Sequence, residues 1–394
     1  MEKTKEKTRR NYKIDILRLF MALAIVYIHV AGSFEFSKYT NFIGAFAKAT
    51  ARIAVPLFFA ISGYFFYRGT DEKTRENIKK QMKRTLVLAV MALALYMVFT
   101  YAINPAKASS LLKVKPIMNF VVFNRLGPIV YNGHLWYLFA TLYIFIVYFF
   151  VLKSKKELNY INIALIGLVL YIASLLITTT RYSGIKFSDD VSFWVRNWLC
   201  MGLLFFTIGI IFRKYQDTIA KISIKQKWIF LIVASLLFIF EVLCAYHTTF
   251  AKTHEVPEFY FSLPLMVLAI MPLIITAPKK EANKLSNTLA FLGGNLSLYI
   301  YIIHIIIIYI GVRLLSGKWS LKYHFSNFWK LLIFYFVVSL VCIIASLAYY
   351  YAKKLIFDRK TKELDAELSE RARKASALVL EEKKKVTKKK EKIS

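Results

Sequence analysis

Residues 14–29 read IDILRLFMALAIVYIH. Apart from Asp15, Arg18 and His29 every side chain in the run is apolar or aromatic, and the apolar residues surround the helix instead of forming one stripe. A helix apolar on all sides is buried in a large core or in a bilayer. A basic N-terminal segment leads straight into it with no small-residue cleavage site, so it reads as a retained membrane helix rather than a signal peptide. The same reading repeats along the chain at 13–32, 50–67, 85–103, 134–152, 160–178, 197–213, 228–246, 259–277, 287–310 and 328–352. Each run approaches the ~20 residues that cross a hydrocarbon core of ~30 Å. The expected fold is all-α: a polytopic integral membrane protein with about ten transmembrane helices.

Composition agrees. Hydrophobic residues make up 58% of the 394, above the ~45–50% apolar content of soluble domains. The mean hydropathy is +0.49. The formal net charge of +32 first suggests nucleic acid,. Its distribution excludes that partner, because the basic residues fill short loops between apolar runs and a C-terminal tail. With the N-terminus inside, the inner segments before the tail hold 24 Lys and Arg, against 15 in the outer segments. That bias predicts an N-in/C-in topology, a multi-pass position in the cell membrane, and contact of the basic inner face with anionic lipids. Residues 1–352 form the membrane domain. Residues 353–394 form a basic cytoplasmic tail, partly helical from the spacing of Leu364, Leu368, Ala372, Ala375 and Val379, and ending in KKKVTKKKEK,. Cys200, Cys244 and Cys342 all lie in apolar runs and read as small buried hydrophobes, with no metal or disulfide set,.

An ionisable group at the bilayer centre costs ~2.5–3.5 kcal/mol even on lenient scales, so each one needs a reason. Arg18 and His29 are eleven residues apart, close to three helical turns. Both therefore project from one face, about 16 Å apart along the axis. Asp15 stands one turn before Arg18 and pairs with it. The bland reading is a snorkelling Arg18 and a packed His29; the other is a face lining a cavity. The second run, RIAVPLFFAISGYFF (Arg52–Phe66), carries Arg52 at one end, Pro56 as a kink, and Ser62-Gly63 for close helix approach,. Arg52 there binds an anion or sits among headgroups. The fourth run opens GHLWYL (Gly133–Leu138); an aromatic belt accounts for Trp136 and Tyr137 but not for His134,. His304 interrupts the otherwise apolar NLSLYIYIIHIIII (Asn295–Ile308), and its partner must come from the protein interior,. Arg196 stands at a span edge. Glu241, in FIFEVLC (Phe238–Cys244), reads as a structural carboxyl, protonated or paired,.

Taken in order, IDILRLFMALAIVYIH, RIAVPLFFAISGYFF, HLWYL, RNWLCMGLLFFTIGIIF (Arg196–Phe212) and LSLYIYIIH (Leu296–His304) resemble acyltransferase family 3 of membrane O-acyltransferases. The resemblance spans about residues 13–310. It implies transfer of an acyl group, usually acetyl, from cytosolic acetyl-CoA or another acyl-CoA to a hydroxyl of a cell-envelope carbohydrate, a lipid-linked glycan or a related acceptor outside the cytoplasm. Arg18 and His29 fall on the family's Arg/His pair, with His29 as general base or transient acyl carrier. Arg52 falls on the Arg before the VPLFF segment. Lys83 and Arg84 match a basic cluster suited to the CoA phosphates, and Arg52 is grouped with them on the donor side. Trp136, Arg196 and His304 are assigned to the acceptor. No metal is implied. Many members carry Trp-Ser-Leu followed by a Glu, whereas here Trp136-Tyr137-Leu138 precedes Phe139, Ala140 and Thr141. This resembles the HLWYL-type subgroup, which includes envelope polysaccharide acyltransferases and the membrane part of serine/alanine racemases, and it leaves His134 as the catalytic helper. The tail is too short for a racemase domain and unlike a hydrolase domain. Two other readings stand beside the enzyme: a transporter of a sugar, lipid-linked glycan or amino acid through the same cavity, and a non-catalytic module recruiting partners through its tail. Transporters often show inverted repeats and Gly/Pro-broken helices in both halves, and neither is visible in this sequence.

Overall fold

The computed structural model describes residues 11–31, 38–105, 133–154, 158–180, 195–250, 256–277, 283–318, 325 and 327–391. Among them every regular element is helical: α1 (Tyr12–Val30), α2 (Lys38–Ala51), α3 (Ala54–Phe66), α4 (Asp71–Ile103), α5 (Trp136–Ser154), α6 (Tyr160–Thr180), α7 (Leu203–Lys214), α8 (Gln216–Ala220), α9 (Ile224–Ala245), α10 (Ser262–Ile275), α11 (Lys284–Ser316) and α12 (Phe328–Glu391). A 3-10 turn (Gly133–Leu135) leads into α5 and a π-helix (Trp198–Gly202) into α7. The chain divides into two compact units, Met1–Ile343 and Ile344–Ser394.

Seven segments among the described residues are long and apolar enough to cross a bilayer, including Phe42–Phe66, the α5 segment and α11. That is a multi-pass membrane protein. It is three fewer than the ten runs of the sequence, although each run falls on a helix. The three outside the count are α1, which carries Lys13, Asp15 and Arg18 among its 19 residues, and α7 and α10, of 12 and 14 residues. Many large apolar side chains of α4, α6, α9 and α12 point outward, Val98 at 70% and Val169 at 67% exposure among them. Leu, Ile and Val on an outer surface are unfavourable in water and suit lipid tails.

The second run differs in detail from its sequence reading. Its start is a separate helix, α2, and the chain breaks at Arg52–Ile53 before α3 begins. Pro56 then lies in the first turn of α3, where its missing N–H costs nothing, so it introduces no kink. Gly63 behaves as expected. A Cβ there would strike the backbone carbonyl of Phe206 on α7, and one on Gly209 of α7 would strike the carbonyl of Ala60 on α3. Glycines on both partners thus bring two backbones into contact. Gly293 does the same for α11 against the Asp15 carbonyl of α1. α1 on α11 and α3 on α7 are the two most extensive pairings, and they carry the site residues described below.

Of the three cysteines, Cys342 is buried and Cys200 partly so, but Cys244 is exposed on α9, contrary to the buried reading of all three. Glu241 on α9 has a structural partner. It accepts from the backbone N–H groups of Phe261 (2.5 Å) and Ser262 (2.9 Å) and from the Ser262 hydroxyl (2.5 Å). The first turn of α10, whose own N-cap residue Phe261 supplies no side-chain cap, is therefore capped from a neighbouring helix,. Glu241→Ala is expected to lower stability by about 0.5–2 kcal/mol, the range for loss of a helix N-terminal cap. Thermal unfolding in detergent checks this, and Glu241→Gln, which keeps an acceptor oxygen, is expected to fall between alanine and wild type.

Candidate functional site

Three histidines from three parts of the chain meet at one end of the bundle. His29 is in the last turn of α1, His134 in the 3-10 turn before α5, and His304 in the middle of α11. Ring centroids are 5.1 Å apart for His29–His304, 4.8 Å for His134–His304 and 6.2 Å for His29–His134. His304 is fully buried, His134 is 5% exposed, and His29 is half-buried. His29 is therefore the most open of the three.

Backbone carbonyls fix two of the rings. His304 Nδ1 lies 2.8 Å from the Tyr301 carbonyl and His134 Nε2 lies 3.3 Å from that of Ile302. A carbonyl oxygen only accepts, so each of these nitrogens carries the hydrogen. His304 Nε2 is then a lone-pair acceptor in the neutral ring, buried and with no partner among the described residues. Tyr301 donates its hydroxyl to the His134 carbonyl, and Tyr96 on α4 donates to the Ile302 carbonyl at 2.7 Å. Tyr96 and Tyr301 also pack their rings on His134, at 4.9 and 5.5 Å. These tyrosines hold the imidazoles in place, and the sequence reading missed both, since a tyrosine in a Tyr-rich membrane protein carries no special signal.

Beside the cluster lies an ion group. Glu258 meets Arg196 at 2.8 Å and Arg52 at 3.5 Å. Arg196 also stands over the Trp136 ring at 5.8 Å. Burial alone would raise the Glu258 carboxyl, but Arg196 and Arg52 outweigh it and hold the group below the usual carboxylate range,. Asn197, next to Arg196, caps the π-helix by accepting from Leu199 and Cys200 N–H, both at 2.8 Å, which pins the turn that presents Arg196. Trp136 is only 8% exposed and packs on Phe59 at 5.8 Å, so it faces protein and is no part of a lipid-facing belt. Glu258 was also missed. It lies immediately before the 259–277 apolar run, where a single acid carries no special signal.

Arg18 marks the opposite end. Its guanidinium pairs with buried Asp15 at 3.4 Å, as the spacing implied, and stands over the Phe65 ring at 4.9 Å. Nearby, Arg213 and Gln216 bond to the Tyr64 hydroxyl, at 3.2 and 2.7 Å. Between the two ends Tyr137 bonds to Ser62 at 2.7 Å and packs on Tyr301 at 5.7 Å.

Lys83 and Arg84 are exposed on the first half of α4. Twelve residues separate Arg84 from Tyr96, about 18 Å along the helix from the histidines. Gln81 reaches the Phe66 carbonyl at 3.4 Å, which sets this part of α4 beside the last turn of α3. Arg52 precedes the first turn of α3, about 20 Å away. The grouping of Arg52 with Lys83 and Arg84 is therefore split: the fold brings Arg52 together with Arg196, and one phosphate cannot touch all three. Among the described residues no group of His, Cys, Asp or Glu has the arrangement to hold a metal ion.

Two relatives, each an amino-acid racemase of Enterococcus faecalis, are similar to this chain. One is 24% identical over 90% of this chain and 49% of its own length; the other is 34% identical over 41% of this chain and 21% of its own length. The chain thus spans about half the length, at most, of the relatives it matches. No solved structure matches it. The sequence profile of the acyltransferase domain, however, matches residues 11–351, all the helices that carry the site. With that match over most of its length, the chain belongs to acyltransferase family 3.

Proposed function

We propose that this protein transfers an acyl group, acetyl in the simplest case, from cytosolic acyl-CoA to a hydroxyl of an envelope carbohydrate, a lipid-linked glycan or a related acceptor. The observation that carries the reading is the meeting of His29, His134 and His304 about three helical turns, about 16 Å, from Arg18 on the same face of α1,. His29, the most open of the three, takes the acceptor proton. The acceptor oxygen then forms the new C–O bond, the thioester C–S bond breaks, and the departing thiolate is protonated as CoA leaves. His134, with its own proton fixed on the Ile302 carbonyl, and His304 orient His29. Arg18 holds the donor within the bundle, and Lys83 and Arg84 receive its phosphates as charge-assisted partners. Trp136 and Arg196 line the acceptor side, and Arg52 joins them there.

The ten helical runs are all membrane spans in this reading, with both termini cytoplasmic, the protein in the cell membrane, residues 1–352 as the acyltransferase domain and 353–394 as a basic tail. Lys83 and Arg84 then lie on the anionic lipid face, where CoA also arrives. Arg84→Ala is expected to weaken acetyl-CoA binding about tenfold, since a charge-assisted hydrogen bond contributes about 1.5–3 kcal/mol. Titration of CoA into nanodisc-embedded protein measures this. Unchanged affinity in the Arg84→Ala and Lys83→Ala variants would move the phosphate site elsewhere.

A further inference from the structure

α3 is buried on every side but one. Nine of its 13 residues are buried. The four that are not, Val55, Phe58, Ser62 and Phe65, follow the three-and-four spacing of a single helix face,. This stripe is about 15 Å long. At one end the Arg18 guanidinium of α1 stands over the Phe65 ring at 4.9 Å. In the middle Ser62 meets Tyr137 of α5, which is itself the one residue of Trp136–Thr141 that is not buried. A guanidinium and a pair of hydroxyls are costly against lipid, so the stripe lines a gap between α1, α3 and α5. The gap runs beside the Arg18–His29 face of α1 and narrows at Ile25, which lies between those two residues on that face and is 4% exposed,.

The hydroxyl pair has a donor to spare. A tyrosine hydroxyl carries one hydrogen. Tyr137 donates it to the Phe58 carbonyl at 3.2 Å, so the 2.7 Å contact is donated by Ser62. The Phe58 carbonyl already accepts from the Ser62 amide, four residues on in the same helix. Tyr137 can therefore turn to another acceptor in the gap and leave no group unpaired. The field of Arg18 reaches this hydroxyl. Ser62 is three residues from Phe65, so the pair lies about 4.5 Å from the level of Arg18 and about 11 Å from that of His29.

We infer that the open stripe of α3 holds the pantetheine arm of the acyl donor, and that the Tyr137 hydroxyl, turned away from Phe58, donates to an amide carbonyl of that arm. This rests on the acyltransferase reading, and it makes Tyr137 and Ser62 the residues that set how far the arm enters. The lengths agree. In an acyl-pantetheine the thioester carbon is nine bonds from the carbonyl carbon of the farther amide, about 10 Å when extended. An arm held at Tyr137 by that amide therefore places its thioester beside His29. The apolar remainder of the stripe, Val55 and Phe58, suits a thin chain with few polar groups.

Two probes separate the arm from the nucleotide: acetyl-CoA, and adenosine 3′,5′-bisphosphate, which has no arm. Both are titrated into the full chain in nanodiscs. Tyr137→Phe, which removes only the hydroxyl, is expected to weaken acetyl-CoA about threefold to tenfold, the range for one hydrogen bond, and to leave the bisphosphate unchanged. A purely structural role for Tyr137 would weaken both alike and overturn the inference. In a second arm, Ser62→Cys is treated with a small methanethiosulfonate and modification at position 62 is followed by mass spectrometry. The thiol is expected to react, and to be protected by acetyl-CoA but not by the bisphosphate, while Ile61→Cys, at a position 1% exposed, stays unmodified. Acetyl-CoA that binds and is cleaved with full affinity in Tyr137→Phe, and that leaves Ser62→Cys unprotected, would overturn the arm site and keep the acyltransferase reading. A folded wild type that binds no acetyl-CoA would remove that reading and the arm site with it.

Discussion

Replacing His29 with alanine is expected to lower acyl transfer by about 10²- to 10⁴-fold, the contribution of one general base, while acyl-CoA still binds. His29 is the half-buried member of the histidine cluster, and in the proposed reaction it is the ring that takes the acceptor proton. His134 and His304 are buried and have their protons committed to the Ile302 and Tyr301 carbonyls. Neither takes over the same position when His29 is lost. Arg18, about 16 Å away along α1, is untouched, and so is the exposed Lys83–Arg84 pair. The check is single-turnover thioester cleavage beside CoA binding on the same preparation. His304→Ala is a useful contrast. It removes a fully buried side chain packed against both other rings, so it lowers stability as well as turnover, whereas His29→Ala acts on turnover with little change in unfolding temperature.

Gly209→Leu is expected to prevent the α3–α7 pairing and destabilise the bundle by about 3 kcal/mol or more, the upper end of overpacking effects. The obstacle at Gly209 is the backbone carbonyl of Ala60, followed by the amide of Tyr64, and no rotamer change relieves a clash with backbone. Gly63 meets the Phe206 carbonyl from the other side, so the two helices cannot both shift outward without breaking the second contact. Gly133 has open space around its Cβ position, and Gly133→Ala serves as the control with near wild-type stability. Thermal unfolding and the monodisperse fraction after detergent extraction report the difference. Activity falls with folding in Gly209→Leu, because α3 and α7 lie next to the turns that present Arg52 and Arg196.

Those glycines also mark how far sequence reading reached. Hydropathy located every apolar run, since desolvation of whole side chains is a property of composition along the chain. It missed α2 as a separate element, because Lys38, Thr40, Asn41 and Lys48 dilute the apolar residues there. The helical period put Arg18 and His29 on one face, and the Asp15–Arg18 contact followed from the same geometry. Nothing local announced that His134 and His304 would meet His29, because helix packing brings them together across most of the chain. The family motifs marked each residue singly without supplying the distances. Arg52 was placed on the donor side for want of its partner: Glu258, two hundred residues on, is what draws it toward Arg196. Trp136 is assigned to the acceptor by resemblance, while its type alone suits an interfacial belt; its neighbours Phe59 and Arg196 hold it inside.

The most direct test of the central claim is whether the folded wild-type protein engages an acyl-CoA and cleaves its thioester. Purified protein in nanodiscs, incubated with radiolabelled acetyl-CoA, is expected to bind the donor and to hydrolyse it slowly when no acceptor is present, with hydrolysis lost in His29→Ala and binding retained. A folded, monodisperse preparation that neither binds acetyl-CoA nor releases CoA would contradict the account and turn attention to transport through the same cavity.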